Sequence, residues 1–175
     1  MHAVRRILGF LIDNALIAAY LALLTALAFA FGAGANAGVP DNRLAAHALA
    51  FLTVTAPVIV GFALLEASPL QGTPGKWAVR LRVTDTESRR ARFSATLVRN
   101  ALKFLPWEIA HAGVWHMPGQ PFVDPPGWPS LVAWSLSLAL AGAYIVSLFT
   151  GRTLYDRIAG LVVSPRVRSD DPTSA

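Results

Sequence analysis

The sequence predicts an all-α integral membrane protein, with four transmembrane helices and a small cytoplasmic β-hairpin between helices 2 and 3. Three observations carry that prediction. Long apolar runs alternate with short basic blocks. Only 14% of the 175 residues are charged, and 54% are hydrophobic, where a soluble domain is roughly 25% charged and needs that charge to stay dissolved. The Lys and Arg residues also fall on one side once the runs are read as membrane crossings.

The first run extends from Ile7 to Phe31, about 25 residues where a span needs roughly 20. Arg5, Arg6 and Ala33-Gly34-Ala35 give it some likeness to a secretory leader, but a leader's apolar region is only about 7–15 residues. An uncleaved span is the better reading. The second run is Leu44–Leu65, with Pro57 inside and Glu66 at its end. A proline in a membrane helix kinks it and frees a carbonyl that a neighbour must satisfy. The last run, Pro129–Thr150, carries no charge.

Three spans alone would strand Arg152, Arg157, Arg166 and Arg168 outside, against the positive-inside rule. A fourth, weaker span over about Ser94–Met117 resolves this, although it carries Glu108 and His111. Its alternative is an amphipathic helix lying on the cytoplasmic surface. With four spans only Arg43 lies outside, and both termini are cytoplasmic.

Between the second and third spans, Gly72-Thr-Pro-Gly-Lys76 is a turn element. Ala78–Thr84 alternates apolar and charged residues at the strand period, and Arg89–Phe93 is the expected return of the hairpin. Arg80, Arg82, Arg89, Arg90 and Arg92 are then candidates for lipid-headgroup contact. Residues 1–163 read as one transmembrane domain and 164–175 as a disordered tail. No internal repeat is visible.

Composition also excludes functions. With no cysteine there is no disulfide and no thiol chemistry. The net charge of +5 is explained by topology and anionic lipids, not nucleic acid. No nucleophile elbow, zinc-protease motif or phosphate loop is present, so neither an enzyme nor a cofactor nor a metal is expected. Arg outnumbers Lys 13 to 2, which suits a GC-rich, bacterial source and hence the inner (plasma) membrane.

An acid within a membrane helix is costly and points to function or to a partner. Asp13 is such an acid, with Arg6 near the same helical face, Gly9 between them to admit a close neighbour, and Tyr20 further along. Arg152 and Asp156 sit four apart, next to Arg157. Four spans gather Arg6, Asp13, Lys76, Arg152, Asp156 and Arg157 at one leaflet. Asp13 is expected to face Arg152, Arg157 or Lys76, and Arg6 to face Asp156. The bland alternative is a positive-inside anchor, a structural acid and a solvated surface pair. Glu108, His111, Glu66 and Tyr20 are candidates for a proton or ion path, against a reading in which they are merely interfacial. Two stripes of small residues, Asn14-Ala18-Ala22-Ala26-Ala30 and Ser135-Ala139-Ala143, suggest close helix packing.

Arg6-Ile-Leu-Gly-Phe-Leu-Ile-Asp13, Gly72-Thr-Pro-Gly-Lys76 leading into Leu81-Arg-Val, and Arg152-Thr-Leu-Tyr-Asp156-Arg-Ile-Ala-Gly together resemble the RDD family of membrane proteins. By that resemblance Arg6 is the family's arginine, Asp13 its first aspartate and Asp156 its second. Gly9 stands where a small residue such as Ala is common, and the Pro118–Trp128 loop has no place in the family pattern. The resemblance implies a multi-pass topology but no defined activity; ion- or proton-coupled transport has been suggested for some members. Two functions are therefore expected: cation- or proton-coupled transport or a transport accessory, or else a membrane scaffold or assembly factor binding lipid or partner proteins through its basic face. A homo-oligomer or a membrane protein partner is expected in either case.

Overall fold

The computed structural model describes residues 2–31, 41–119 and 123–166. Helix α1 is His2–Ala30. The second long helix, Arg43–Ala67, is built from α2 (Arg43–Ala50), a wide π-turn (Phe51–Thr55) and α3 (Ala56–Ala67). A short helix α4 (Pro74–Ala78) and strand β1 (Leu81–Asp85) lead to α5 (Phe93–Trp115). Helix α6 (Trp128–Leu148), short helix α7 (Leu154–Ile158) and strand β2 (Leu161–Pro165) complete the chain.

Among the described residues three helices are long and apolar enough to cross a membrane: Val4–Ala30, Arg43–Ala67 and Trp128–Leu148. Phe10, Leu23, Phe29, Leu131, Leu138 and Ile145 on α1 and α6 point outward, the kind of surface that a bilayer covers. α5 has comparable length but carries Arg99, Lys103 and Glu108, which lower its hydropathy. It packs between α3 and α6. α5 and α6 run antiparallel, since Trp134 meets Ala110 near one end and Tyr144 meets Leu102 near the other.

Both interior prolines are answered by a tyrosine. Proline lacks an N–H and so strands the carbonyl four residues earlier. For Pro57 that carbonyl is Thr53, and Tyr20 Oη donates to it at 2.6 Å. For Pro106 it is Leu102, and Tyr144 Oη donates at 2.8 Å. The wide turn Phe51–Thr55 lies just before Pro57, where a π-turn makes room for the ring.

The sheet corrects the expected hairpin. β1 pairs antiparallel with β2, from Leu81↔Pro165 through Val83↔Val163 to Asp85↔Leu161. The expected return, Arg89–Phe93, contributes a single bridge, Thr84↔Arg90. The strand also runs to Pro165, past the expected domain boundary at Val163. The rest of the expected tail, 167–175, lies outside the described residues. Val83, Leu161 and Ala91 form the buried core beneath this sheet.

A repeat invisible in the sequence emerges here. Residues 71–85 and 151–165 follow the same course. Gln71 and Gly151 have φ of 49° and 85°. Thr73 and Thr153 cap α4 and α7 through their hydroxyls. Arg80 and Gly160 have φ of 56° and 68°, and β1 and β2 then begin at Leu81 and Leu161. The pairing is symmetric about Val83↔Val163. Each repeat is thus a capped short helix followed by a strand, and the two are related by a local two-fold axis through the sheet. Few residue types recur at matching positions; capping and backbone conformation carry the likeness.

The small-residue stripes do not form the expected seams. Asn14, Ala18, Ala22, Ala26 and Ala30 are exposed, and so are Ser135, Ala139 and Ala143. α6 instead turns Trp134, Ser137 and Tyr144 toward α5, where each donates to a backbone carbonyl.

Candidate functional site: a buried ionic network

The charged ends of α1, α3, α4, α5 and α7 meet in one network. Glu66, the last polar residue of α3, is fully buried. Its Oε1 accepts from Arg99 Nη1 at 2.7 Å and lies 2.9 Å from Lys76 Nζ. Its Oε2 accepts from Asn100 Nδ2 at 2.8 Å. Arg99 also donates Nε to Asp156 Oδ1 at 2.7 Å, and its guanidinium carbon lies 5.3 Å from the centre of the Tyr155 ring. Arg6 approaches Asp156 from α1 at 3.6 Å. Such a network holds only if each charge is compensated, because an unpaired buried ion costs several kcal/mol.

Asp13 is 1% exposed and ties α1 to α4. It accepts from Thr73 Oγ1 at 2.6 Å and from Gly75 N at 2.8 Å, with Lys76 Nζ at 3.9 Å. The space between Arg6 and Asp13 admits the α4 backbone: a Cβ on Gly9 would meet Gly75 O at 3.2 Å, and one on Gly75 would meet Gly9 O at 2.0 Å.

Asp156 lies beyond the last long helix. Burial alone raises its carboxyl pKa, but Arg99, the Thr153 hydroxyl and Arg6 outweigh it and hold the group below 3.8. Burial pushes the neighbouring Tyr155 hydroxyl up, against the lowering effect of Arg99, so it stays protonated near neutral pH. Asp85, at the surface turn, is lowered by hydrogen bonds from Arg89 and Glu87 that outweigh its desolvation.

The structure brings together Arg6, Asp13, Lys76 and Asp156. Arg152 and Arg157 stand apart from the carboxylates. Arg152 precedes the helix that was expected to pair it with Asp156, and its guanidinium donates to the Leu161 and Asp156 carbonyls. Arg157 is exposed and bonds Thr150 Oγ1 at 2.9 Å. Glu66 joins the network through Lys76, Arg99 and Asn100. Tyr20 serves the Pro57 site. Of the five surface arginines, Arg89 is held by Asp85 and Glu87, Arg82 is half-buried, and Arg80, Arg90 and Arg92 are exposed.

Sequence reasoning missed Arg99, Asn100, Thr73 and Thr153. Arg99 had counted only as one of the basic residues flanking a span. A signal was present: Thr96, Arg99, Asn100 and Lys103 recur at the i, i+3, i+4, i+7 spacing of one helical face.

A second, smaller polar group sits at the far end of the bundle. Thr55 Oγ1 donates to Glu108 Oε1, and His47 Nε2 lies 3.6 Å from Glu108 Oε2. His47 Nδ1 is 3.3 Å from His116 Nε2, and Arg43 reaches the carbonyls of Met117 and Gly119. His111 does not pair with Glu108; it packs edge-on against Trp107, 4.4 Å between centroids. Among the described residues no group of His, Asp and Glu is arranged to hold a metal.

No curated relative and no solved structure matches the chain. The RDD family model matches residues 1–160, a span that takes in every residue of the ionic network, the whole first repeat and the second as far as the start of β2, and the chain belongs to the RDD family.

Proposed function

We propose that this protein is a membrane scaffold or assembly factor whose cytoplasmic ends are locked by the ionic network. One observation carries the reading: among the described residues, the three buried carboxylates are already neutralised by the chain's own cations. Asp13, Glu66 and Asp156 face Arg6, Lys76 and Arg99, with Lys103 close by. With Lys103 protonated, four cations face three acids and leave a positive centre, which repels a travelling cation. The network thus suits holding elements together better than passing ions.

In this reading α5 is the fourth span, both termini are cytoplasmic, and the inner membrane of a bacterium is the site. The packing of α5 between α3 and α6, with Arg99 and Asn100 turned inward, supports the count. Arg80, Arg90 and Arg92 then face the anionic headgroups beside the sheet. A second copy or a membrane protein partner is the natural client.

A second reading, proton movement, finds its support at the far end, where Thr55, Glu108, His47 and His116 form a titratable chain next to a π-turn. Liposomes separate the two. Purified protein should leave imposed proton and sodium gradients intact, while Asp156→Asn should lower folded yield. Gradient decay abolished by Asp13→Asn or Glu108→Gln would overturn the scaffold reading in favour of transport.

A further inference from the structure

A cavity of about 680 Å³ separates α1 from α5 and α6. It falls within the roughly 300–1,000 Å³ of pockets that hold small organic ligands. Its walls are apolar, with Ile17, Leu21, Val58 and Ile145 among them. At its mouth Leu11, Ile145 and Phe149 both line the cavity and are more than half exposed, so the opening faces the surface that lipid covers. Its floor is charged: Arg6, Asp13, Lys76, Arg99, Lys103 and Asp156 line it.

With Lys103 protonated, the charges on that floor do not balance. Arg6, Lys76 and Arg99 each have a carboxylate within ion-pair distance. Lys103 has none among the described residues, and its Nζ is ringed instead by Phe10, Phe62 and Phe104 at 5.2–5.8 Å from their centroids. Aromatic faces stabilise an ammonium only partly. A lone cation at the closed end of an apolar slot calls for one negative charge on an apolar tail.

We propose that this cavity binds one anionic phospholipid, drawn laterally from the bilayer, with its phosphate on Lys103 and an acyl chain between α1 and the α5–α6 pair. The occupant comes from the membrane because the mouth opens there. Binding does not depend on whether the ionic network serves a scaffold.

The test is native mass spectrometry of the full-length protein in mild detergent, with phosphatidylglycerol, phosphatidylethanolamine and oleate offered at equal concentration. Wild type should retain one phosphatidylglycerol per chain, roughly tenfold over phosphatidylethanolamine, the ratio that about 1.4 kcal/mol produces. Lys103→Met should erase that preference and Lys103→Arg should keep it. Ala141→Trp, which fills the slot and leaves Lys103 in place, should lose both lipids and carries the test even if Lys103→Met fails to fold. Arg90→Gln, at the outer surface, should change nothing. Equal retention of the two phospholipids would overturn the proposal. So would preference for oleate, retention that survives Ala141→Trp or follows Arg90, or a lipid-free dimer in which a second copy fills the slot.

Discussion

Replacing Gly75 with alanine tests how α1 is held. The new Cβ would stand 2.0 Å from Gly9 O and 2.7 Å from Asp13 Oδ1. The first of these atoms is backbone, so no side-chain rotation relieves it. Restoring an ordinary contact of 3.4 Å moves α1 off α4 by more than ~1 Å. The Gly75 N–Asp13 bond, now 2.8 Å, then stretches beyond useful length. Overpacking costs about 1–3 kcal/mol, and losing a hydrogen bond to a charged group costs about 1.5–3 more. The expected total is about 2.5–6 kcal/mol. Gly61→Ala is the control, because a Cβ there meets nothing within 4 Å and alanine favours a helix by about 0.5–1 kcal/mol. Thermal unfolding of the solubilised protein should show a large loss for Gly75→Ala and none for Gly61→Ala. A Gly75→Ala protein as stable as wild type would refute the docking of α1 on α4.

Three other outcomes follow from the same structure. Tyr144→Phe should cost about 1–3 kcal/mol by stranding the Leu102 carbonyl, and much less in a Pro106→Ala background, where residue 106 regains its own N–H; equal losses in the two backgrounds would refute the pairing. Asp156 has a lowered folded-state pKa, so its stabilising contribution is present above the unfolded value and is lost as pH falls through the folded one. The stability gap between wild type and Asp156→Asn should therefore be widest above about pH 5 and narrow progressively as pH falls below that toward the folded-state pKa, read from unfolding midpoints across pH. Glu108→Gln keeps the Thr55 hydrogen bond and removes only the charge facing His47, so it should leave the unfolding midpoint nearly unchanged; a loss as large as that of Asp156→Asn would contradict this.

Much of the fold is readable because hydropathy is a local property. α1, Arg43–Ala67 and α6 announce themselves by length and apolarity, and the parity of the long helices brings Arg6 to Asp156 and Lys76 to Asp13. What escapes reading depends on distance in the chain. β1 finds its partner eighty residues on, so the alternation at Ala78–Thr84 identifies a strand but not its mate, and the nearby Arg89–Phe93 is the wrong inference. The repeat escapes because it is written in caps and positive φ angles, with Lys76 and Asp156, opposite in charge, at matching positions. Arg99 escapes because an arginine near a helix start satisfies the positive-inside rule equally well whether it faces water or Glu66. Gly9 is the converse case: its spacing from Arg6 and Asp13 foretells a close neighbour, and the Gly75 backbone fills that place.

The lock itself is tested most directly by a double-mutant cycle on Glu66 and Arg99, measured as unfolding free energy. Glu66→Gln leaves Arg99 with Asp156 alone, and Arg99→Met leaves Glu66 with Lys76 alone, so each variant loses a hydrogen bond between charged groups and should cost about 1.5–3 kcal/mol. The double variant should lose far less than the sum of the two, with a coupling of about 1–3 kcal/mol. Strictly additive losses, or single variants as stable as wild type, would contradict the claim that these charges hold the helix ends together.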